Sequence, residues 1–330
     1  MSWNRLSFTC LLLIVLIDAV HADGSRRDPY EALEIAPTMA VTIDDLPIAT
    51  ASRFNAEQKQ IITRRLLETL TTRGVPAIGF VNEVQLFNEE GEIESEEVAL
   101  LTQWLDAGME LGNHGYSHLS LNREDPMIWM ADVDRGDTIT QRLLKARGQT
   151  ADWFRHPFLH VGRSAEVQAQ TAEFLADEGY RIAPISIDNS DWIYADAYAW
   201  AWLAGDEEQM NRLGTDYVRY MLEVVEFYED QSLKIVGEPL PHTLLIHANA
   251  LNADWLDELL DALGERGYRW VDLDTATRHP AYDREIHGYT GPGGITWLHR
   301  WALTDGVDPV IFSGEPEVPD WVNALRQQRN

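Results

Sequence analysis

The sequence predicts an α/β protein built as a parallel (β/α) barrel, and three observations lead there. Short apolar runs alternate with stretches of helical periodicity. Roughly seven such pairs can be traced, close to the number that closes a barrel. Acids, histidines or an arginine stand at the C-terminal tips of several of the runs, the end at which (β/α) barrels carry their chemistry. No internal repeat, low-complexity tract or Pro/Ser linker divides the chain, so the barrel reads as one domain over residues 23–280.

The first strand carries Val41-Thr-Ile and ends in Asp44-Asp45, ahead of Pro47, which cannot donate to a ladder. Neighbours on a strand face opposite sides, so these acids share a task only if the strand is breaking there. Paired acids at such a tip can set a metal ligand beside a general base; a turn-capping Asp pair is the other reading. Asn55 to Arg73 follows as a helix, with Asn55 as N-cap, apolar residues at 61, 62, 66, 67 and 70, and Gly74 at its end. Val75 to Val81 is the second strand and Asn82 to Gly91 an acidic loop. Ser95 to Ala107 is a helix with Ser95 at its start, and Met109 to Gly112 a strand.

Pro126 to Arg147 reads as one long helix, Asp152 to Arg155 as a short strand, Ser164 to Glu178 as a helix closed by Gly179, and Tyr180 to Ile187 as a strand. Asp196 to Asp230 is an aromatic-rich helical insertion, expected to cover part of the barrel mouth. Thr243 to His247, Asn252 to Glu265 and Arg269 to Leu273 complete the pattern as strand, helix and strand. Residues 281–330 show no clear period. The Gly291-Pro-Gly-Gly294 turn and Trp297, His299, Trp301 and Trp321 suggest an irregular extension packed back on the barrel.

The chain has 330 residues, 12 of them Trp, and 45% are hydrophobic, enough for a substantial core. A net charge of −28 argues against nucleic acid or an anionic membrane as partner. Residues 1–22 read as a signal peptide: Arg5, then the apolar run from Thr9 to Ile17, then Val20-His-Ala22 before a cut at Asp23. The run is too short for a stable membrane span. The single cysteine, Cys10, lies inside it, so the mature chain would hold no disulfide or thiol. The expected location is periplasmic or secreted.

Directly after the Met109 strand comes Gly112-Asn-His-Gly-Tyr-Ser-His118. One helical turn would set His114 and His118 on the same side. Two imidazoles and a carboxylate with a position left open suit a catalytic divalent ion. His156 and His160 share the spacing, but Pro157 interrupts them, so that pair reads as structural. Arg155, then Asp188, Asp191 and Trp192, then His247 stand at three further strand tips. Each alone has an ordinary explanation; gathered at one end of one barrel they read as a site.

These motifs resemble, in order, those of the NodB-type polysaccharide deacetylases, carbohydrate esterase family four. Thr42-Ile-Asp-Asp-Leu-Pro47 is similar to the family's Thr-Phe-Asp-Asp-Gly-Pro, and His114 to His118 to its His-Ser/Thr-x-x-His. Arg155-His-Pro-Phe158, Asp188 to Trp192 and Leu244 to His247 resemble the remaining three. The resemblance spans about two thirds of the chain and implies a distorted seven-stranded (β/α) barrel. It implies that Asp45, His114 and His118 bind a divalent metal, zinc foremost, with cobalt, nickel or manganese as alternatives. Asp44 would be the base, held by Arg155, and His247 the acid, kept protonated by Asp188 or Asp191. The Phe158 backbone N–H would share the oxyanion, Leu245 would wall the acetyl methyl group, and Trp192 would stack on a sugar. The implied partner is an acetylated carbohydrate. A non-sugar amide as substrate, or a non-catalytic carbohydrate-binding role, are the other readings. Leu46 stands where the family has Gly, so the turn there must avoid positive φ. Gly115 stands where it has a hydroxyl, and the 281–330 extension lies outside the pattern.

Overall fold

The computed structural model describes residues 36–286 and 289–327; the signal-peptide reading of residues 1–22 lies outside them. Seven strands occur: β1 Thr38–Leu46, β2 Ala77–Val81, β3 Glu110–Asn113, β4 Trp153–Phe154, β5 Arg181–Ile182, β6 His242–His247 and β7 Arg269–Trp270. Their order is β5-β4-β3-β2-β1-β6, with every pairing parallel, and β7 joins only the first residues of β1. β1 and β2 are buried nearly throughout, as strands covered on both faces are; β2 is apolar along its whole length, and β1 is largely so before its acidic tip.

The run from Tyr180 to Ile187 is not one strand. Residues 181–182 pair with β4, and the chain then crosses so that Ile187 bridges Leu244 of β6. The Leu245 N–H donates to the Ile187 carbonyl at 3.2 Å. Pro184 in the middle has no N–H to give a ladder, so the segment passes from one neighbour to the other and closes the barrel. This crossing is the distortion of the ring.

Helix α1 (Ala56–Arg73) starts on a full capping box between Asn55 and Gln58 and stops at Gly74, whose φ is 62°. Helix α2 (Ser95–Asp106) has Glu94 rather than Ser95 at its cap, with no side-chain cap bond. The expected long helix from 126 to 147 is two: α3 (Pro126–Arg135) and α4 (Thr138–Lys145). The break has a tertiary cause. A β-carbon on Gly136 would lie 2.4 Å from the Gly115 backbone, so the chain must pass there as glycine. The Glu83 carboxylate, from the loop after β2, then accepts the Ile139 and Thr140 N–H groups at 2.8 and 2.6 Å and starts α4.

Helix α5 (Ala165–Asp177) is capped by Ser164. The insertion forms α6 (Asp191–Ala204) and α7 (Glu207–Ile235), followed by α8 (Ala250–Glu265) and the short α9 (Leu273–Thr277). The extension is more ordered than its lack of period predicts, with α10 (Trp297–Thr304) and α11 (Asp320–Gln327). Each is eight residues, too short to show a period. Trp297, Leu298 and Trp301 of α10 are buried, and the Trp297 N–H donates to the Ile185 carbonyl at 2.7 Å. None of the described helices is long and apolar enough to cross a membrane.

Candidate metal centre and active site

β1 breaks at its acidic tip. Its register with β2 shifts between Ile43 and Leu46, and Asp45 adopts φ 65°. This local bend re-aims a side chain that regular pleating would send to the opposite face. The left-handed residue is thus Asp45, and position 46 has room for a side chain because its neighbour lacks one. A β-carbon on Gly79 would lie 2.5 Å from the Leu46 side chain.

The two acids meet different partners. Asp44 is buried, with Oδ2 at 3.5 Å from the Arg155 guanidinium and 3.7 Å from His114 Nε2. Arg155 also donates to Thr42 Oγ1 at 3.0 Å. Asp45 Oδ1 lies 3.7 Å from His114 Nε2 and 3.5 Å from His118 Nε2, and accepts from Asn82 Nδ2 at 2.6 Å.

The histidines meet without the helical turn that their spacing suggests. Residues 114–118 form a loop with Gly115 at φ 79° and His118 at φ 55°. The Asp132 carboxylate holds it by accepting from the Tyr116 and Ser117 N–H groups, each at 3.0 Å. The two rings end 4.8 Å apart, centre to centre. His114 Nδ1 lies 2.8 Å from the Arg155 carbonyl, which places the proton on Nδ1 and turns the Nε2 lone pair toward the acids.

Among the described residues, Asp45, His114 and His118 offer ligand atoms within 4.8 Å of one another. Burial, above all, lowers both histidines to about 4, so at neutral pH both are the uncharged donors a metal needs. Burial also presses on Asp45, but His118, His247 and His114 outweigh it and hold the carboxyl below its usual range. For Asp44 burial prevails over Arg155 and His247, and the carboxyl is raised. Asp44 Oδ1 is buried with no hydrogen-bond partner. Two neutral imidazoles, a carboxylate and an unfulfilled acid oxygen beside them fit a divalent cation with an open position.

The neighbouring wall is built from β6, whose His247 is the register partner of Asp44 on the adjacent strand, and from the start of α6. His247 Nδ1 lies 2.7 Å from Asp191 Oδ1, and the His247 backbone N–H donates to Asp191 Oδ2 at 2.9 Å. Asn252 and Asn249 donate to the same Oδ2 at 2.9 and 3.3 Å. Burial disfavours the imidazolium, yet the Asp191 carboxylate, with Asp45 and Asp44 beyond, pushes His247 up to about 10. Asp188 is not bonded to His247. It sits half-buried in the cavity, accepts the Asn189 N–H at 2.8 Å, and is raised by burial to about 7.

A cavity of about 600 Å³ joins the two walls. Asp44, Asp45, His114, His118, Asp188, His247 and buried Leu245 all face it. Phe158 and Trp192 flank it and remain 51% and 47% exposed, far more than the core aromatics. The Arg326 guanidinium lies over the Trp192 ring at 4.6 Å. Of the 196–230 insertion only Asp196 lines the cavity, next to Trp192 and Ala195 just before it, and no residue of α7 lines it. The extension supplies a wall instead, at Gly294, where a β-carbon would collide with the Phe158 carbonyl.

Four features escape the sequence reading: Asn82 on Asp45, Thr42 on Arg155, the Asn249–Asn252 pair on Asp191, and His160. Asn82 directly follows β2, the same strand-tip position that marks the acids, but asparagine there reads as loop. The two histidines read together as structural differ in setting. His156 is buried and stacked on Trp129 at 5.4 Å, whereas His160 lines the cavity.

Residues 34–180 match the family model described as polysaccharide deacetylase, which bears out the resemblance carried by the motifs. No curated protein matches the chain. Similar solved structures include the peptidoglycan deacetylase PdaC from Bacillus subtilis, at 19% identity over 75% of this chain and 95% of that one, TM-score 0.46. A family 4 carbohydrate esterase from Streptomyces lividans in complex with acetate shares 18% over 73% and 95%, TM-score 0.46. A carbohydrate esterase family four pseudoenzyme from Bacillus anthracis shares 18% over 72% of this chain and 64% of that one, TM-score 0.45, so the chain spans under two thirds of its length.

Proposed function

Because residues 34–180 carry the polysaccharide deacetylase pattern, we propose that this chain is an exported metal-dependent hydrolase that removes N-acetyl or O-acetyl groups from a carbohydrate. The observation that carries the reading is that a buried, unpartnered Asp44 oxygen and a His247 held in its protonated form stand on adjacent strands and face one cavity. Asp44 offers a free oxygen that can take a proton and His247 holds a proton to give, which is the division of labour that hydrolysis of an amide or ester requires.

Asp45, His114 and His118 would hold the cation, which when bound supplies Lewis acidity and an acidified water. Zinc suits the nitrogen-rich donor set; cobalt, nickel and manganese are the alternatives. Asp44 takes the proton of the attacking water at its free Oδ1, while Arg155 keeps the other oxygen in place. The Phe158 N–H faces the oxygen that gains charge at the acyl carbon. His247 Nε2 delivers a proton to the departing amine or hydroxyl as the acyl bond breaks, and Asp191 holds the ring through Nδ1 while it does so. Acetate and the free sugar group result. Leu245 closes around the acetyl methyl, and Trp192 offers a stacking face.

The test is acetate release by purified residues 23–330 with Zn²⁺, Co²⁺ or chelator, on chitooligosaccharides, peptidoglycan, acetylated xylan and an aryl acetate. Metal-dependent release from one saccharide class supports the reading. Release from the aryl acetate alone directs it to a non-sugar substrate, and binding of metal with no release anywhere removes the catalytic role. Export rests on residues 1–22, and a mature protein isolated with Met1 intact from the cytosol would count against it.

A further inference from the structure

We propose that His160 contacts the substrate and helps set its specificity, reading a polar group on the sugar lying beyond the acetylated position. The inference rests on the function proposed above. Its starting point is the divergence of two histidines with one spacing. His156 is enclosed between Trp129 and Phe154, with its Nδ1 buried and unpartnered. His160 is only 6% exposed, yet the surface it keeps faces the cavity.

One ring nitrogen of His160 is committed. Nδ1 lies 2.7 Å from Ser120 Oγ, a buried hydroxyl that fixes the ring plane. The remaining nitrogen, Nε2, is not among the buried unpartnered atoms, as the free ring nitrogens of His156, His242 and His299 are. It therefore opens on the cavity. Burial and the neighbouring Arg123 and Arg300 lower the ring to about 4, so at neutral pH it is an uncharged hydrogen-bonding group that suits a hydroxyl or amide better than a carboxylate.

Position decides what it would read. The Phe158 ring lies 4.3 Å from that of His118 and 5.4 Å from that of His160, so Phe158 links His160 to the metal cluster. His160 shares the cavity with Leu245 and His247 but has no hydrogen bond or ring contact with either, which suits the sugar that bears the acetyl group, or the next unit, better than the acetyl group itself. The cavity of about 600 Å³ has room for far more than one acetyl group.

The segment is also held firmly. Phe158 and Leu159 have φ of 59° and 54°, the Leu159 carbonyl accepts from Arg300 at 2.8 Å, and Gly294 presses on the Phe158 carbonyl. Two strained residues fixed by a distant part of the chain are consistent with a geometry kept for a ligand.

The experiment compares wild type, His160→Ala, His160→Gln and Ser120→Ala on N-acetylated chitotriose and on an aryl acetate, with metal content and thermal midpoint measured for each. For His160→Ala, kcat/KM on chitotriose should fall about tenfold further than on the aryl acetate, the worth of one hydrogen bond, and chiefly through KM. His160→Gln, which keeps a donor and an acceptor, should recover part of that loss, and Ser120→Ala should show a smaller loss of the same kind. Equal losses on both substrates, or none, overturn the proposal. If the wild type turns over only the aryl acetate, the saccharide reading itself fails, and calorimetric titration with chitotriose then decides. Undiminished binding by His160→Ala, or no binding by the wild type, overturns the role of His160.

Discussion

Asp44 and Asp191 are buried acids, the first facing the cavity and the second set behind His247 on the neighbouring strand, and they live in opposite circumstances. Asp191 has both oxygens occupied, by His247 and by two asparagines. Asp44 has one oxygen with no partner and the other at the 3.5 Å limit of its contact with Arg155. A buried polar atom left unpaired costs stability, so chains retain it where something else completes it. The wall around His247 is finished by protein alone, while the wall around Asp44 requires a guest. On the proposed function, the difference teaches which half of the chemistry would be preformed and which half would wait on metal and substrate.

The largest effect should come from dividing the unfinished wall. Asp45→Asn is expected to lose the bound metal, measured by elemental analysis after dialysis, and with it acetate release. Asp44→Asn should keep the metal while turnover falls roughly 10²–10⁴-fold, the span of a lost general base. Turnover preserved in the Asp44 variant would remove the base from its role, and equal metal loss in both would make the two acids joint ligands.

The finished wall should respond more gently and in pH. On the proposed mechanism His247 acts in its protonated form, and a group raised to about 10 stays protonated up to that pH. Activity should therefore fall as pH rises through about 10. Asp191→Asn removes the counter-charge, so the alkaline limb should move down toward neutrality, with turnover reduced about 10–100-fold at mildly alkaline pH. A limb that stays in place would detach Asp191 from the protonation of His247.

The smallest effect probes how the unfinished wall is shaped. Gly79→Ala sets a β-carbon against Leu46, and overpacking of this kind costs about 1–3 kcal/mol in thermal or urea unfolding. Adding Leu46→Ala should return part of it if the conflict is with that side chain, and failure to do so would place the strain elsewhere.

Much of this architecture is legible in the chain because it is written locally. An apolar run that ends in Asp44-Asp45, or in His247, announces a strand and its functional tip within a few residues. What stays hidden is decided between distant residues. The break at Gly136 depends on Gly115 approaching and on Glu83 arriving to cap α4, and neither is visible in the 126–147 periodicity. The separate fates of His156 and His160 depend on Trp129 and Ser120, from elements far from the pair. The bend at Asp45 could be posed as a condition from sequence, since adjacent residues of a regular strand diverge, but only the register shift against β2 answers it.

The Trp192 rim has a consequence for the order of assembly. Asp196 pairs there with Arg53, near the start of the barrel, and with Arg326 of α11, which also covers the Trp192 ring. Three segments that emerge early, midway and last in synthesis thus converge on one edge of the cavity. The barrel can gather while the chain is still growing, but this edge has its full set of partners only after residue 326 has been made. Loss of α11 would therefore be felt at the edge of the cavity as well as in the core, where its Val322 is fully buried.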